Sequence, residues 1–361
     1  MLLNALNITN FKNIRQASLT FSPKINCLVG NNGMGKSNLL DAVYMLSFAK
    51  SYTGAPDSSL ITDGEQFSML RGEYLRRDTP ETLTLSLGGG RRKTLRRGDK
   101  AYQRVSQHIG AFPLVLSSPA DMDLAGGAPE CRRRFIDQVI SQSDPVYLDA
   151  LLRYNHALEQ RNSMLRGEIN DPVLYQAVEL PMAMAAETIV KRRAAFVGEL
   201  AGIFSRYHAD IAGSGGEEVT IAYQSAMADG TTLDQLLESN RRRDSILHHT
   251  SAGPHRDELE LTLNGLPLRR TASQGQAKSY TIALRLAQYD FLRQATGVTP
   301  LLLLDDLFDK LDAGRVSRIV EIVSRSDFGQ IFITDTKLAA DPLPKGTALW
   351  HADNGSFTPQ T

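Results

Sequence analysis

The sequence predicts an α/β fold: a head with a mixed sheet, built from both ends of the chain, and a compact helical insert between them. Three observations support this prediction. An apolar strand at residues 25–29 runs into a glycine-rich loop and a helix, and a second apolar strand at residues 301–304 ends in two aspartates. Residues 119–245 show helical spacing without sustained heptads, which excludes a long coiled coil. The predicted domains are therefore 1–118 with 246–361, and 119–245.

The glycine-rich loop has the spacing of a phosphate-binding loop. Gly30, Gly35, Lys36 and Ser37 occupy the fixed positions of the motif G-x-x-x-x-G-K-[ST]. Because glycine lacks a side chain, backbone N–H groups can approach phosphate oxygens, and the following helix (residues 36–49) directs its positive dipole end at them. Lys36 would contact the β- and γ-phosphates of ATP, and the hydroxyl of Ser37 would hold Mg²⁺. The predicted nucleotide-binding residues of this loop are Gly30, Asn31, Asn32, Gly33, Met34, Gly35, Lys36 and Ser37.

Two carboxylates follow the apolar strand at residues 301–304. In open α/β sheets, ligands bind at the carboxyl ends of the strands. Asp305 suits the Mg²⁺ position, directly or through water, and Asp306 suits the residue that orients the attacking water. The sequence therefore predicts Lys36, Asp305 and Asp306 as catalytic residues, with Ser37 and Asp305 as metal ligands.

Apolar alternation predicts the other elements of the first third of the chain. A hairpin is expected over residues 1–24, and β-structure over residues 67–105, with a glycine turn at residues 88–90. A strand follows at residues 112–116. Together with the strand before the phosphate loop, these segments supply the first part of the head.

Turn and cap residues predict the remaining elements. In the insert, Asp-Pro pairs at residues 144–145 and 171–172 predict helix starts, and Pro181 predicts the start of a long amphipathic helix at residues 182–207. An Asn-Gly pair at residues 264–265 predicts a tight hairpin. The other predicted elements after the insert are strands at residues 258–263 and 330–334 and helices at residues 276–294 and 315–325.

The composition is that of an ordinary globular protein. Of 361 residues, 42% are apolar and 22% are charged, and the formal net charge is zero. Nucleic-acid binding would therefore have to come from local patches, since the field of the whole molecule would not drive it. The two cysteines, Cys27 and Cys131, form no disulfide framework. The chain has no run of 18 apolar residues and no basic-then-apolar N-terminus, so we expect a cytoplasmic protein that does not enter a membrane.

A serine-led run lies directly before the helix predicted at residues 276–294. Taken alone, Ser273 is a helix N-cap. Taken with the phosphate loop and the acidic strand, residues 273–276 resemble the shortened S-x-G-Q signature of ABC-type ATPases, and residues 307–312 resemble the D-loop of that superfamily. The resemblance implies four further nucleotide contacts, from Ser273, Gly275, Gln276 and Asp312.

Within that superfamily the chain resembles the RecF family of bacterial recombination and repair ATPases over essentially its whole length. The matching segments are residues 8–14, 126–137, 154–162 and 251–257. The last contains Gly-Pro-His-Arg-Asp, the most specific match, although Glu258 follows where the family commonly has a second Asp. No switch histidine follows residues 330–333, where Thr334-Asp335-Thr336 stands, and no glutamine loop follows Leu116.

The resemblance implies a fold and a function. The expected fold is an ABC/SMC-type ATPase head, in which the signature of one copy completes the nucleotide site of a second copy. ATP would then hold two copies together as a clamp on DNA, and slow, DNA-dependent hydrolysis would time its release. Family membership would imply action at single-strand gaps, the partners RecR and RecO, and roles in replication restart and the SOS response.

Arginine runs offer local patches for DNA. Their positions are residues 91–93, 96–97, 132–134 and 241–243. No aromatic residues are interleaved with them, so they indicate contact with the DNA backbone rather than base stacking. Each run is equally suited to a solvated face or to salt bridges. The first choice for DNA contact is residues 132–134, because they follow a Gly-Gly loop and precede a helix.

Three other protein classes share parts of this pattern. An SMC-type architectural protein needs hundreds of heptad residues between the motifs, and this insert is too short. A transporter ATPase subunit has its phosphate loop and acidic strand far closer together. A P-loop enzyme acting on a small molecule, such as a metabolic kinase, would leave residues 273–276 without a role, and it would not dimerise with ATP.

Overall fold

A computed structural model of the chain describes residues 1–88, 91–213, 216–306, 311–336 and 346–360. The chain divides into two compact units. The first, which we call the head, consists of Met1–Asp121, Asp210–Gly213 and Gln274–Thr361. The second, which we call the insert, consists of Met122–Ala209 and Ser214–Ser273.

Strands dominate both ends of the chain, and helices dominate its middle. The strands are β1 (Leu2–Phe11), β2 (Ile14–Thr20), β3 (Ile25–Val29), β4 (Phe67–Arg76), β5 (Thr79–Gly88), β6 (Arg91–Arg97), β7 (Lys100–Ala101), β8 (Leu114–Ser117), β9 (Val219–Gln224), β10 (Glu258–Leu263), β11 (Leu266–Pro267), β12 (Leu301–Leu304), β13 (Ile331–Asp335), β14 (Ala348–Asp353) and β15 (Ser356–Gln360). The helices are α1 (Lys36–Phe48), α2 (Met122–Gly126), α3 (Pro129–Ser143), α4 (Pro145–Arg166), α5 (Pro172–Ala212), α6 (Leu233–Leu247), α7 (Leu268–Thr271), α8 (Gln274–Thr296) and α9 (Ala313–Ser324). The glycine turn predicted between β5 and β6 lies mostly outside the described residues.

The described part of the head contains two sheets. One has the strand order β2-β1-β4-β5-β6-β7 with antiparallel neighbours, and the predicted N-terminal hairpin is its β1–β2 pair. The other has the order β15-β14-β3-β13-β12-β8, in which only β15 runs antiparallel to its neighbour. The prediction of an α/β head with a mixed sheet is confirmed.

The order of the mixed sheet positions the predicted site. Its β13 lies between β3, which leads into the phosphate loop, and β12, which leads into Asp305. These three strands are parallel, so their carboxyl ends lie at the same edge of the sheet. All four residues of β12 are buried, as expected for a central parallel strand. The two ends of the chain therefore meet at one edge.

The insert is not purely helical, which corrects the prediction for residues 119–245. It contains a sheet with the order β11-β10-β9, in which β9 is antiparallel to β10 and Ile221 pairs with Leu261. The misassigned segment has a strand pattern, since Val219 and Ile221 are buried and Thr220 between them is exposed. Because β9 pairs with β10, the unit continues to Ser273, beyond the predicted boundary at residue 245.

Helix starts in the insert follow the Asp-Pro pairs, with one exception. As predicted, α4 begins at Pro145 with Asp144 as its N-cap, and α5 begins at Pro172. The prediction that Pro181 starts a helix is wrong, because α5 continues through it. Pro181 is exposed, so the hydrogen bond missing at proline faces solvent while the opposite face of α5 stays packed.

By length and composition alone, α5 is the one helix among the described residues that could cross a membrane. Two of its charged side chains are nevertheless paired inside the insert. Glu179 lies 2.8 Å from Arg161, and Arg193 lies 2.8 Å from Asp137. Both arginines are almost fully buried, so these pairs belong to the packing of a folded unit.

The Gly-Pro-His run before β10 is a packing junction of the insert. Gly253 has φ +123°, and a Cβ there would lie 2.7 Å from the hydroxyl oxygen of Tyr154. His255 Nδ1 lies 2.6 Å from the same hydroxyl, and Arg193 donates to the carbonyl of Pro254 at 2.7 Å. Burial lowers the pKa of His255 to about 4, so its ring is neutral at pH 7. The run therefore acts within the insert through packing and hydrogen bonds.

Candidate nucleotide-binding site

The phosphate loop needs its glycines for two reasons. Gly35 immediately precedes α1 with φ +102°, a conformation that other residues rarely adopt. At Gly30, which has φ +156°, a Cβ would collide with the carbonyl oxygen of Ala352 in β14. A Cβ at Gly33 would meet nothing within 4 Å, so the outer side of the loop is open. The loop therefore packs against the backbone of β14 at Gly30 and has space for an anion on its open side at Gly33.

Residues outside the motif hold the loop in place. Asn13 Nδ2 donates to the carbonyl of Gly33 at 3.3 Å, and Asn38 Nδ2 donates to Asn13 Oδ1 at 2.8 Å. From the turn between β14 and β15, the N–H of Gly355 donates to the carbonyl of Met34 at 2.9 Å. Sequence reasoning missed these three supports. Asn13 and Asn38 lay in segments already singled out, the run at residues 8–14 and the helix at residues 36–49, but neither was identified as a support of the loop.

The side chain of Lys36 lies along the loop. Its Nζ donates to the carbonyl of Gly30 at 2.6 Å and to the carbonyl of Asn31 at 2.8 Å. Lys36 is largely buried, so its ammonium is held among backbone groups. This position next to the open side of the loop is where a phosphate-binding lysine is required.

Asp305 joins the two distant motifs. Ser37 Oγ donates to Asp305 Oδ1 at 2.9 Å across a sequence separation of 268 residues. Thr334 Oγ1, at the end of β13, donates to the same oxygen at 2.6 Å. Tyr52 Oη donates to the other oxygen, Oδ2, at 3.0 Å. The structure thus brings the predicted metal ligands together and adds two hydroxyls that the sequence did not reveal as contacts.

Asp306 is held through its backbone. It has φ +48°, in the left-handed region that Asp tolerates better than most residues. Its N–H donates to Thr334 Oγ1 at 3.0 Å, and its carbonyl accepts from Lys278 Nζ at 2.8 Å. Burial and the neighbouring carboxylate of Asp305 raise the pKa of its side chain. The second predicted catalytic carboxylate is therefore fixed at the same sheet edge as the first.

The oxygen ligands fit Mg²⁺. This ion binds proteins through one or two carboxylates and takes its other ligands from substrate phosphates and water. Ser37 and Asp305 supply such a partial set beside the phosphate loop. Among the described residues, no group of three or more His, Cys, Asp and Glu side chains could hold a metal by itself. A metal held by Ser37 and Asp305 would take its remaining ligands from nucleotide phosphates and water.

The predicted signature and D-loop residues lie at helix starts. Ser273 is exposed and directly precedes α8, whose first turn contains Gly275 and Gln276. Asp312 is also exposed, and its Oδ1 accepts from the N–H of Arg315 at the start of α9, at 2.9 Å. This backbone hydrogen bond lowers the pKa of Asp312. Residues 307–310 of the predicted D-loop lie outside the described residues.

The arginine run chosen first for DNA contact is mostly engaged within the insert, which corrects that choice. Arg132 is buried and pairs with Glu258, with Nε 2.7 Å from Oε1 and Nη2 3.1 Å from Oε2. Arg133 donates to the carbonyl of Asp257 at 2.8 Å. Only Arg134 is well exposed, and it pairs with Glu130 one turn away on α3. Arg132 and Arg133 are therefore engaged in contacts within the protein itself.

The other runs differ in availability. In the β6 region, Arg97 pairs with Glu81 and Lys93 pairs with Asp57. The run at residues 241–243 lies on α6, and all three of its residues are exposed. Its first member, Arg241, lies 3.5 Å from Glu179. The run on α6 is therefore the most accessible of those whose side chains are described.

Comparison with known proteins identifies relatives of the chain. Residues 2–73 match the family model described as "RecF/RecN/SMC N terminal domain". The chain is 46% identical to the DNA replication and repair protein RecF of Porphyromonas gingivalis, covering 99% of this chain and 98% of that protein. It is 42% identical to the protein of the same name from Flavobacterium johnsoniae, covering 93% and 94%.

Solved structures match over the whole chain. A structure of the recombination mediator protein RecF with ATP, in the RecFOR pathway, has a TM-score of 0.89 at 27% identity and covers 100% of this chain and 98% of that chain. An Smc head domain from Pyrococcus furiosus has a TM-score of 0.61 at 17% identity, covering 99% and 96%, which shows a shared fold. The predicted ABC/SMC-type ATPase head is thereby confirmed.

Proposed function

The chain belongs to the RecF family of DNA replication and repair proteins, and on that premise we propose that it is an ATP-controlled DNA clamp of recombinational repair and replication restart. The observation that carries the proposal is the contact between Ser37 and Asp305. It joins a phosphate loop to an acidic strand from the other end of the chain, as an ATP site requires. The relative solved with ATP, at 27% identity over the full chain, supports ATP as the nucleotide.

Each part of the site has a role in this proposal. The loop at residues 30–37 binds the phosphates through backbone N–H groups and Lys36, which neutralises their charge. Ser37 and Asp305 hold Mg²⁺, which offsets charge on the β- and γ-phosphates. Asp306 orients and activates the attacking water. Many ABC-type ATPases have Glu at this position, and the side chain of Asp306 is one methylene shorter. We therefore expect slow hydrolysis of ATP, which suits a switch.

ATP is proposed to join two copies of the chain. The exposed position of Ser273 before α8 suits a residue that contacts a nucleotide held by another copy. Gly275, Gln276 and Asp312 are assigned to the same contact. Hydrolysis then separates the copies, so ATPase activity times the release of DNA.

Replacing Ser273 with arginine tests this assignment. Each copy should still bind ATP, because the phosphate loop is unchanged, but the bulky cation should prevent the two copies from closing on the nucleotide. Binding of a fluorescent ATP analogue and light scattering measure the two properties separately. Loss of ATP binding by the single copy would show that Ser273 serves its own site.

The proposed ligand of the closed pair is gapped DNA. The relatives are proteins of DNA replication and repair and of the RecFOR pathway, which supports a role in DNA repair and RecO and RecR as proposed partners. We propose a cytoplasmic location for the same reason. Binding to gapped, duplex and single-stranded DNA should be compared with and without ATP. We expect ATP to strengthen binding, most of all to gapped DNA. Equal affinities with and without ATP for all three would contradict the clamp.

The exposed run on α6 is proposed to contact DNA phosphates. Replacing Arg242 and Arg243 with alanine should weaken binding to every DNA sequence and reduce the slope of log affinity against log salt by about 0.9 for each phosphate that the variant no longer neutralises. Fluorescence anisotropy at several salt concentrations measures this. The matched control is Arg134→Ala, an exposed arginine that already has a carboxylate partner. If the α6 variant and Arg134→Ala both keep the parent's slope of log affinity against log salt, the DNA contact lies elsewhere.

A further inference from the structure

The segment after α1 is folded back onto the phosphate-loop helix. Ala49 adopts φ +51° at the end of α1 and donates its N–H to the carbonyl of Met45 at 2.8 Å. Ser51 Oγ then donates to Asp41 Oδ2 at 2.7 Å, and the N–H of Tyr52 donates to Asp41 Oδ1 at 3.0 Å. One carboxylate in α1 thus holds the side chain of Ser51 and the backbone of Tyr52.

Asp41 is suited to act as an anchor. It is fully buried, and Lys12 Nζ lies 2.7 Å from its Oδ2, so its charge is compensated. It stands four residues after Ser37, which places both side chains on the same face of α1. The segment at Tyr52 is therefore held in register with the Ser37 hydroxyl rather than left as a free loop.

The anchored Tyr52 reaches the predicted metal ligand. Its hydroxyl donates to Asp305 Oδ2, whereas Ser37 and Thr334 donate to Oδ1. The two oxygens of this carboxylate therefore have different partners, and Oδ1 is the one that accepts from Ser37, the other predicted metal ligand.

We propose that Tyr52 is a positioning residue for Asp305: by occupying Oδ2, it turns Oδ1 toward Ser37 and the Mg²⁺ of the bound nucleotide. The inference rests on the proposed function, because it assumes that Asp305 is a metal ligand. Residues that orient a metal ligand commonly change metal affinity by about 10- to 100-fold when they are replaced. Among the described side chains, Tyr52 is the one that donates to Oδ2 of Asp305, since Ser37 and Thr334 both donate to Oδ1.

Tyr52→Phe removes the hydroxyl and keeps the ring. Mn²⁺ serves as the probe for Mg²⁺, and the electron paramagnetic resonance signal of free Mn²⁺ reports its binding to the protein with a non-hydrolysable ATP analogue. We expect the dissociation constant for Mn²⁺ to rise by about 10-fold or more. Analogue binding in EDTA should stay unchanged, and excess Mg²⁺ should restore ATP hydrolysis. Tyr52→Leu, which also removes the ring, should show the same reduction of Mn²⁺ affinity.

Two further variants complete the test. Tyr74→Phe is the matched control, because the Tyr74 hydroxyl is buried in the same unit and has no hydrogen-bond partner among the described residues. This variant should keep the parent Mn²⁺ affinity. Equal Mn²⁺ affinities in Tyr52→Phe and Tyr74→Phe would overturn the role of Tyr52. Asp305→Asn separates this failure from a broader one. If Asp305→Asn also binds Mn²⁺ as the parent does, the metal assignment of the proposed function fails with it.

Discussion

Replacing Lys36 with alanine is expected to remove ATP binding while leaving the fold unchanged. The described hydrogen bonds of the Lys36 ammonium go to the carbonyls of Gly30 and Asn31 within the loop itself, so its removal should leave the other elements in place. With ATP, the variant lacks the charge-assisted bonds to phosphate. We expect the affinity for ATP to fall by about 100-fold or more, that is by at least about 3 kcal/mol, which removes binding at ordinary ATP concentrations.

Calorimetry measures this affinity, and circular dichroism on heating checks the fold. The matched control is Lys24→Ala, because Lys24 also donates to a backbone carbonyl in the head, that of Phe328 at 3.1 Å, but lies before β3. The control should bind ATP as the parent does. Parent-like affinity in Lys36→Ala would remove the basis for the whole site.

Asp306→Asn should slow hydrolysis far more than it weakens ATP binding. The amide keeps the shape of the side chain, and Thr334 and Lys278 still hold the backbone. The variant loses the basic carboxylate that activates water, a contribution of roughly 100-fold or more to the rate. The ATP-bound pair of copies should therefore persist longer than in the parent.

Phosphate release and ATP affinity should be measured on the same samples. Asp353→Asn is a suitable control, since Asp353 is an exposed carboxylate at the end of β14 in the same sheet. It should turn over ATP as the parent does. Parent-like turnover by Asp306→Asn would assign the activation of water to another residue.

The phosphate loop was predictable because adjacent residues determine it. The apolar run of β3, the glycines and the start of α1 follow one another, and β3 has the predicted bounds while α1 ends one residue early. The acidic pair was predictable for the same reason, as it ends an apolar strand. Local patterns thus indicated both halves of the site separately.

The contacts between those halves depend on pairing between distant segments. Nothing near Tyr52 indicates that its hydroxyl meets Asp305, because α1 must first end and the chain must fold back onto Asp41. The sequence placed Thr334 at the end of a predicted strand, where a switch histidine stands in other ABC-type ATPases, but did not indicate its partner. Its bond to Asp305 follows from β13 lying beside β12. The pattern of a single sequence does not indicate which strands are adjacent in the sheet.

The arginine runs show a second limit. Sequence identifies the charge of Arg132 but not its partner Glu258, which is 126 residues away and in another element. A buried, doubly hydrogen-bonded arginine and a solvated one look alike in a run of three. A distant partner also determines β9. The alternation of Val219 and Ile221 is too brief to predict a strand by itself, and pairing with β10 is what stabilises it as one.

The mass of the protein in solution, measured by light scattering with and without ATP and Mg²⁺, tests the central claim most directly. The chain has a mass of 39.7 kDa. We expect that mass without nucleotide, and twice that mass for Asp306→Asn with ATP and Mg²⁺, because the variant binds ATP but hydrolyses it slowly. Ser273→Arg should keep the single-chain mass under both conditions. A single-chain mass for Asp306→Asn at ATP concentrations that saturate its site would contradict the proposal that ATP joins two copies into a clamp.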